Sequence, residues 1–298
     1  MKHTKDIKPL LKICSRKRNE REEEMKEKKI ITIVTTDLDG TFLDNEKKVP
    51  PINRQAVEKL KEKGILFGIT SGRPIDTVRP MIADWGIEDD VSFIVGMNGG
   101  AIYDLRRRDK EDFHLISGDV ILEIVDFFKD LDVHFHVLIG PTRYTDYSDE
   151  KTRAQAKVFG EIEVETDLYE FMQNRDVNKL IMHFDPKDMP VVQERASHFH
   201  DKRVVGFATA DNLFEYVDPN INKGFGMKKI AKHYGVPVST IMAFGDAPND
   251  KEMLGTVGVG VCMQNGADVC KSVANYVTDL TNDQGAVGHF IEDYFKED

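Results

Sequence analysis

Cysteine is scarce in this sequence, and long apolar runs are absent. Only three cysteines occur among 298 residues, and no two of them form a CxxC pair. This usage predicts reduced thiols in a cytoplasmic protein rather than disulfide bonds or a zinc site. No apolar run approaches the roughly 20 residues that cross a bilayer, and the broken apolar stretch near the N-terminus does not match a secretory signal. We therefore expect neither membrane insertion nor export.

Positive charge is also in short supply. The sequence contains 41 Lys and Arg against 52 Asp and Glu, which gives a net charge of −11. Nucleic acids and anionic membranes are bound by surfaces with a broad excess of positive charge, so neither is expected as the partner. The first 29 residues depart from this balance, with 11 basic and 6 acidic side chains. Nothing in the sequence indicates the oligomeric state.

Alternating strand and helix patterns at both ends of the chain predict the α/β class. The β-branched run at residues 30–36 is typical of a strand that is covered on both faces of a parallel sheet. The alternation returns after residue 217, whereas the middle of the chain has a mixed α+β pattern. We therefore predict a charged leader at 1–29, a doubly wound parallel-sheet core at 30–102 and 217–298, and an inserted α+β domain at 103–216.

Two features inside the predicted insertion have structural explanations. The basic run around residues 106–110 indicates the tip of a hairpin. His134 and His136 lie two residues apart on a predicted strand and therefore share one of its faces. No third ligand accompanies them, so a metal site there is not expected.

Polar residues cluster directly after four predicted strands. The carboxyl ends of parallel strands meet at one edge of a sheet, so we expect the acidic side chains of these clusters to lie together. Carboxylates in one place repel each other, and a hard divalent cation with oxygen ligands relieves the repulsion, which predicts Mg²⁺. The four segments are Asp37-Leu38-Asp39-Gly40-Thr41, Ser71-Gly72-Arg73-Pro74, Asn98-Gly99-Gly100 and Gly245-Asp246-Ala247-Pro248-Asn249-Asp250.

These segments, with the Lys223-Gly224 pair, resemble the motifs of the haloacid dehalogenase superfamily. The resemblance covers nearly all of residues 30–295 and is most specific to the Cof-type members, which insert an α+β cap between their second and third motifs. Ala247 stands where the family often has Gly, Asn or Ser. The resemblance implies a Mg²⁺-dependent phosphatase that acts on a small phosphorylated metabolite, with a sugar phosphate as the expected substrate.

The resemblance also implies roles for individual residues. Asp37 would be the nucleophile that forms an aspartyl phosphate, Asp39 the general acid and base, and Lys223 a fixed positive charge. The implied metal ligands are Asp37, Asp39 through its backbone carbonyl, Asp246 and Asp250. The implied phosphate and substrate contacts are Ser71, Gly72, Arg73, Asn98 and Asn249. For Arg73 a solvated surface charge is an equally good interpretation.

Two other functions stay open. A phosphosugar mutase would use the same motifs but return the phosphate to the substrate, so analysis of the products would separate it from a phosphatase. A non-catalytic binding module would keep the fold without activity. Degenerate members usually lose an aspartate, and all four are present here.

Overall fold

The computed structural model describes residues 29–296, so the predicted leader and Cys14 lie outside the described residues, with the exception of Lys29. In chain order the strands are β1 (Ile33–Thr36), β2 (Leu66–Thr70), β3 (Val91–Gly96), β4 (Ala101–Asp104), β5 (Asp109–Asp112), β6 (Ile116–Ser117), β7 (His134–Ile139), β8 (Thr142–Thr145), β9 (Ile162–Glu165), β10 (Asp176–Val177), β11 (Lys179–His183), β12 (Val205–Ala210), β13 (Leu213–Val217), β14 (Ile241–Gly245), β15 (Val259–Cys262) and β16 (Tyr276–Val277). The α-helices are α1 (Pro51–Glu62), α2 (Ile75–Asp84), α3 (Gly118–Phe128), α4 (Glu150–Val158), α5 (Leu168–Phe171), α6 (Met189–Ser197), α7 (Lys223–Tyr234), α8 (Lys251–Thr256), α9 (Asp268–Lys271) and α10 (Ala286–Tyr294).

The larger sheet has eight strands in the order β16-β15-β14-β1-β2-β3-β4-β5. Its first six strands are parallel, and β1 lies between β14 and β2, with Ile33 opposite Ile241 and Leu66. Every residue of β1 is buried. The reason is that α1, α2 and α10 pack on one face of the sheet while α7 and α8 pack on the other. This arrangement is the predicted doubly wound α/β fold.

A second sheet of six strands has the order β12-β13-β11-β7-β8-β9. All its neighbouring pairs are antiparallel except β8 and β9. One face packs against α3 and α6 around Phe128 and Phe214. On the opposite face, Leu138 and Ile181 belong to the hydrophobic cluster of the larger sheet. The second sheet therefore lies with this face against the parallel sheet and its helices.

The hairpin that the sequence predicts inside the insertion belongs to the larger sheet. Strand β4 pairs antiparallel with β3, with Asp104 opposite Phe93 and Ala101 opposite Gly96, and β5 pairs antiparallel with β4. Placing this hairpin in the inserted α+β block was wrong, because backbone hydrogen bonds to β3 hold it as two antiparallel strands at the edge of the core sheet. The division of the chain into a core and an inserted domain stays a prediction.

In the described part of the chain, no helix combines the length and apolar character that a membrane span requires.

Candidate active site

A tight turn follows β1 and brings the first motif against the fourth. Gly40, in this turn, has a φ of 81°, and a Cβ at this position would lie 2.5 Å from Oδ2 of Asp246. Glycine is therefore needed both for the left-handed backbone and for the close approach. Thr41 completes the contact, because its Oγ1 donates a hydrogen bond of 2.6 Å to Oδ1 of Asp246.

Lys223, the first residue of α7, is fully buried between two carboxylates. Its Nζ donates to Oδ1 of Asp37 at 2.6 Å and to Oδ1 of Asp250 at 2.5 Å. The second oxygen of Asp250 accepts hydrogen bonds from the backbone N–H groups of Asp246 and Ala247 at 2.9 and 3.0 Å. Burial disfavours the charge of Lys223, but the two carboxylates outweigh it and raise the pKa of the amine. Lys223 is therefore a fixed positive charge at neutral pH.

Three carboxylates converge beside this lysine. Asp37, Asp246 and Asp250 each present an oxygen within 4.8 Å of the others. Burial raises the pKa of Asp37 to about 8, against the attraction of Lys223 and with the repulsion of Asp250. Burial likewise raises the pKa of Asp246 to about 6. Three carboxylates with a single buried cation leave an excess of negative charge, and an oxygen-only donor set of this kind fits a hard divalent cation.

The side chain of Asp39 points to a different set of partners. Arg73 donates to its oxygens from Nε at 3.1 Å and from Nη2 at 2.9 Å, and Nζ of Lys47 donates at 2.7 Å. Burial acts to raise the pKa of Asp39, but Arg73 and Lys47 outweigh it and the pKa is lowered. Arg73 thus forms an ion pair with Asp39, the predicted general acid and base. Sequence reasoning missed Lys47, and its only signal is its place in the loop after the first motif.

The loops after β2, β3 and β14 contact one another at the same edge. Oγ of Ser71 accepts from the backbone N–H of Arg73 at 3.2 Å, and the carbonyl of Ser71 accepts from the N–H of Asn98 at 3.1 Å. Nδ2 of Asn249 donates to Oδ1 of Asn98 at 3.0 Å. A Cβ on Gly72 would lie 3.1 Å from the same Oδ1. The structure therefore brings all the sequence-predicted site residues to one edge of the larger sheet.

Comparison with known proteins places this site in a family. A model of the haloacid dehalogenase-like hydrolases matches residues 34–291. The chain therefore belongs to the haloacid dehalogenase-like hydrolases, and the predicted superfamily, fold class and phosphatase type of enzyme are confirmed.

Several individual proteins are similar over nearly their whole length. The 5-amino-6-(5-phospho-D-ribitylamino)uracil phosphatase YitU of Bacillus subtilis is 30% identical over 268 residues, which cover 88% of this chain and 97% of YitU. An HMP-PP phosphatase of Serratia proteamaculans is 24% identical over 87% of this chain and 94% of its own. A haloacid dehalogenase-like hydrolase from Bacteroides thetaiotaomicron has the same fold, with a TM-score of 0.80, 24% identity and coverage of 89% of this chain and 100% of that one.

Proposed function

We propose that this protein is a cytoplasmic, Mg²⁺-dependent phosphatase that hydrolyses a monoester of a small hydroxylated metabolite, a sugar or sugar-alcohol phosphate. The observation that carries the proposal is the buried Lys223 between Asp37 and Asp250, with Asp246 beside them. This set combines a nucleophile, a fixed cation and an oxygen-only donor group. The similarity to YitU, whose name describes a phosphorylated ribitylamino compound, supports the sugar-alcohol class.

The carboxylates of Asp37, Asp246 and Asp250 would hold the Mg²⁺, together with the backbone carbonyl of Asp39. When bound, the ion supplies positive charge that neutralises phosphoryl oxygens beside these acidic groups. Ser71 and the N–H groups of its loop would hold a phosphate oxygen.

The reaction then needs two steps at phosphorus. In the first, an oxygen of Asp37 attacks phosphorus, the bond to the leaving oxygen breaks, and Asp39 gives that oxygen a proton. In the second, a water molecule loses a proton to Asp39 and attacks the aspartyl phosphate, which releases phosphate and restores Asp37. Arg73 and Lys47 hold Asp39 ionised, as the second step requires. For the first step these cations must move towards the incoming phosphate so that Asp39 can carry a proton.

The mutase alternative is tested by the products, because a mutase yields an isomeric phosphate and a phosphatase yields inorganic phosphate. The non-catalytic alternative is weakened by the complete set of aspartates.

The direct test is phosphate release in Mg²⁺ by the wild type, Asp37→Asn and Asp293→Asn. Asp293 is exposed on α10, so its variant carries the same chemical change outside the site. We expect activity in the wild type and in Asp293→Asn and none in Asp37→Asn. The substrates should include 5-amino-6-(5-phospho-D-ribitylamino)uracil, hexose phosphates, flavin mononucleotide and pyridoxal phosphate. Equal rates for the wild type and Asp37→Asn would contradict the proposal.

A further inference from the structure

The face of the six-stranded sheet that lies against the core carries buried charged and polar side chains. We call this the inner face and define it by His136, Leu138, Arg143, Lys179 and Glu215. The strand register pairs Leu138 with Arg143, and Ile181 with both His136 and Glu215, and alternation along β7 and β11 places the side chains of these residues and of Lys179 on the same side. Each of these five residues is at most 7% exposed. None of them belongs to the catalytic set described above.

The inner face touches the loop that is proposed to hold the phosphate. Nζ of Lys179 approaches the carbonyl oxygen of Gly72 at 3.4 Å and donates to both oxygens of Glu215 at 3.2 Å. The neighbouring Asn178 donates from Nδ2 to the carbonyl of Gly100 at 3.1 Å. These hydrogen bonds therefore hold the inner face against two of the loops that surround the predicted phosphate position.

The direction of the reaction places the leaving group on this side. In a displacement at phosphorus, the leaving oxygen lies roughly opposite the attacking oxygen. Asp37 attacks from the end of β1, so the leaving group extends away from the larger sheet and towards the inner face. The inner face then supplies the surroundings of the leaving group.

Both cations of the inner face, Arg143 and Lys179, are paired with carboxylates. Arg143 pairs with Glu161 at 2.6 Å and with Glu163 at 3.8 Å, while Lys179 pairs with Glu215. His136 is neutral, because burial and then the nearby Arg143 and Lys179 lower its pKa well below the usual value. With Glu161 and Glu163 beside the inner face, three carboxylates therefore surround its two cations, and the described residues of the inner face include no cation without a carboxylate partner.

We propose that the inner face selects the leaving group by charge. It favours phosphate esters whose leaving group is uncharged and rich in hydroxyl or amide groups, and it rejects esters that carry a second phosphate or a carboxylate. Neutral His136 can donate or accept a hydrogen bond with such groups, and the carboxylate of Glu215 can accept one from a hydroxyl or an N–H. A second anion there would lose its hydration without gaining a free cation and would be repelled by the excess carboxylate.

This inference rests on the proposed phosphatase function and sharpens it. A phosphosugar mutase must hold a bisphosphate at some stage, because the phosphate returns to a substrate that is already phosphorylated. An inner face without an unpaired cation disfavours binding of a bisphosphate. The selection by charge therefore favours the phosphatase reaction over the mutase reaction at this site.

The test compares kcat/KM in Mg²⁺ for glucose 6-phosphate, 6-phosphogluconate and glucose 1,6-bisphosphate, with p-nitrophenyl phosphate as a generic ester. The second compound has a carboxylate at C1 of the same six-carbon skeleton, and the third has a second phosphate on the oxygen of C1. We expect kcat/KM to be at least about tenfold lower for both than for glucose 6-phosphate, a difference of about 1.4 kcal/mol. Equal values for all three in the wild type would overturn the inference while leaving the proposed function intact.

Variants then locate the selection. Glu215→Gln frees the charge of Lys179, Glu161→Gln frees much of the charge of Arg143, and Glu194→Gln changes an exposed glutamate of α6 as a control. We expect the first two to shift the ratio of kcat/KM for the bisphosphate over the monophosphate upwards by about tenfold and the control to leave it unchanged. Both substrates are measured on the same preparation, so partial unfolding does not alter the ratio.

The remaining outcomes are also decisive. An unchanged ratio in both Glu215→Gln and Glu161→Gln would overturn the assignment to the inner face. Hydrolysis of p-nitrophenyl phosphate but of no glucose ester would contradict the preference for hydroxylated leaving groups. Absence of phosphate release from every ester would overturn the proposed function and this inference together.

Discussion

The clearest prediction is that Mg²⁺ stabilises the protein strongly at pH 8 and only weakly at pH 6. Without metal, burial raises the pKa of Asp37 to about 8 and that of Asp246 to about 6. The folded protein therefore binds protons that the unfolded chain releases, so in EDTA the free energy of unfolding should fall as the pH rises from about 4 to about 8. Mg²⁺ must displace the same protons, and its affinity should rise over that range.

The size of the effect follows from these two pKa values. At a Mg²⁺ concentration 100 times the dissociation constant at pH 8, binding contributes about 2.7 kcal/mol at that pH. At pH 6 the proton on Asp37 weakens binding by about fiftyfold relative to pH 8, and half-protonation of Asp246 adds about a further factor of two. The stabilisation at the same Mg²⁺ concentration then drops to about 0.4 kcal/mol. For a chain of this size, the shift in Tm should fall from about 5–10 °C at pH 8 to about 1–2 °C at pH 6.

Thermal unfolding in Mg²⁺ and in EDTA at pH 6, 7 and 8, with ionic strength matched by NaCl, measures this directly. Asp246→Asn should lose most of the Mg²⁺ shift at pH 8, whereas Asp293→Asn on the surface of α10 should keep it. A Mg²⁺ shift that is equal at pH 6 and pH 8, or larger at pH 6, would refute the argument from buried carboxylates.

Three substitutions give further predictions. Lys223→Met leaves two buried carboxylates without their cation, so the free energy of unfolding in urea with EDTA should fall by about 3–5 kcal/mol. Mg²⁺ should partly restore the lost stability, and a loss under about 1 kcal/mol would contradict this prediction. Gly40→Ala forces a left-handed backbone and places a Cβ 2.5 Å from Asp246, so the Mg²⁺-induced rise in Tm at pH 8 should largely disappear; an unchanged rise would show that the turn can relax. Asn53→Ala removes a fully buried amide that bonds a backbone carbonyl at 2.9 Å and a backbone N–H at 2.7 Å, and should cost about 3 kcal/mol in urea unfolding while the Mg²⁺ shift persists.

The sequence was sufficient to predict the parallel core and the convergence of the acidic residues. Short motifs at strand ends have few possible placements once the strands are parallel, so Asp37 and Asp246 must meet if β1 and β14 are neighbours. Their pairing is the register in which Thr36 lies beside Phe244. The fold was accessible because it depends on local pattern and on the rule that places loops at one edge.

The contacts of long side chains could not be predicted from the sequence in the same way. Arg73 could have reached a substrate, solvent or a neighbouring loop, and only the structure shows it on Asp39. Lys47 was invisible because its role depends on how the loop after the first motif folds back. The edge hairpin was misplaced for a related reason, since the pattern of β4 predicts a strand but does not specify which sheet supplies its partner.

The central position of β1 also constrains how the protein can be made. Thr32 and Thr240 share a hydrogen bond across 208 residues of chain, at the point where β1 and β14 begin to pair. At a synthesis rate of about 5–20 residues per second, β14 is made about 10–40 seconds after β1, so one side of β1 has no paired strand during that time. The backbone N–H and C=O groups on that side of β1 lack their strand partner for that interval. Because Asp37 meets Asp246 only after β14 has been made, a truncated product that ends before residue 241 would lack the proposed metal site, and Mg²⁺-dependent protection would report only chains that extend beyond Asp250.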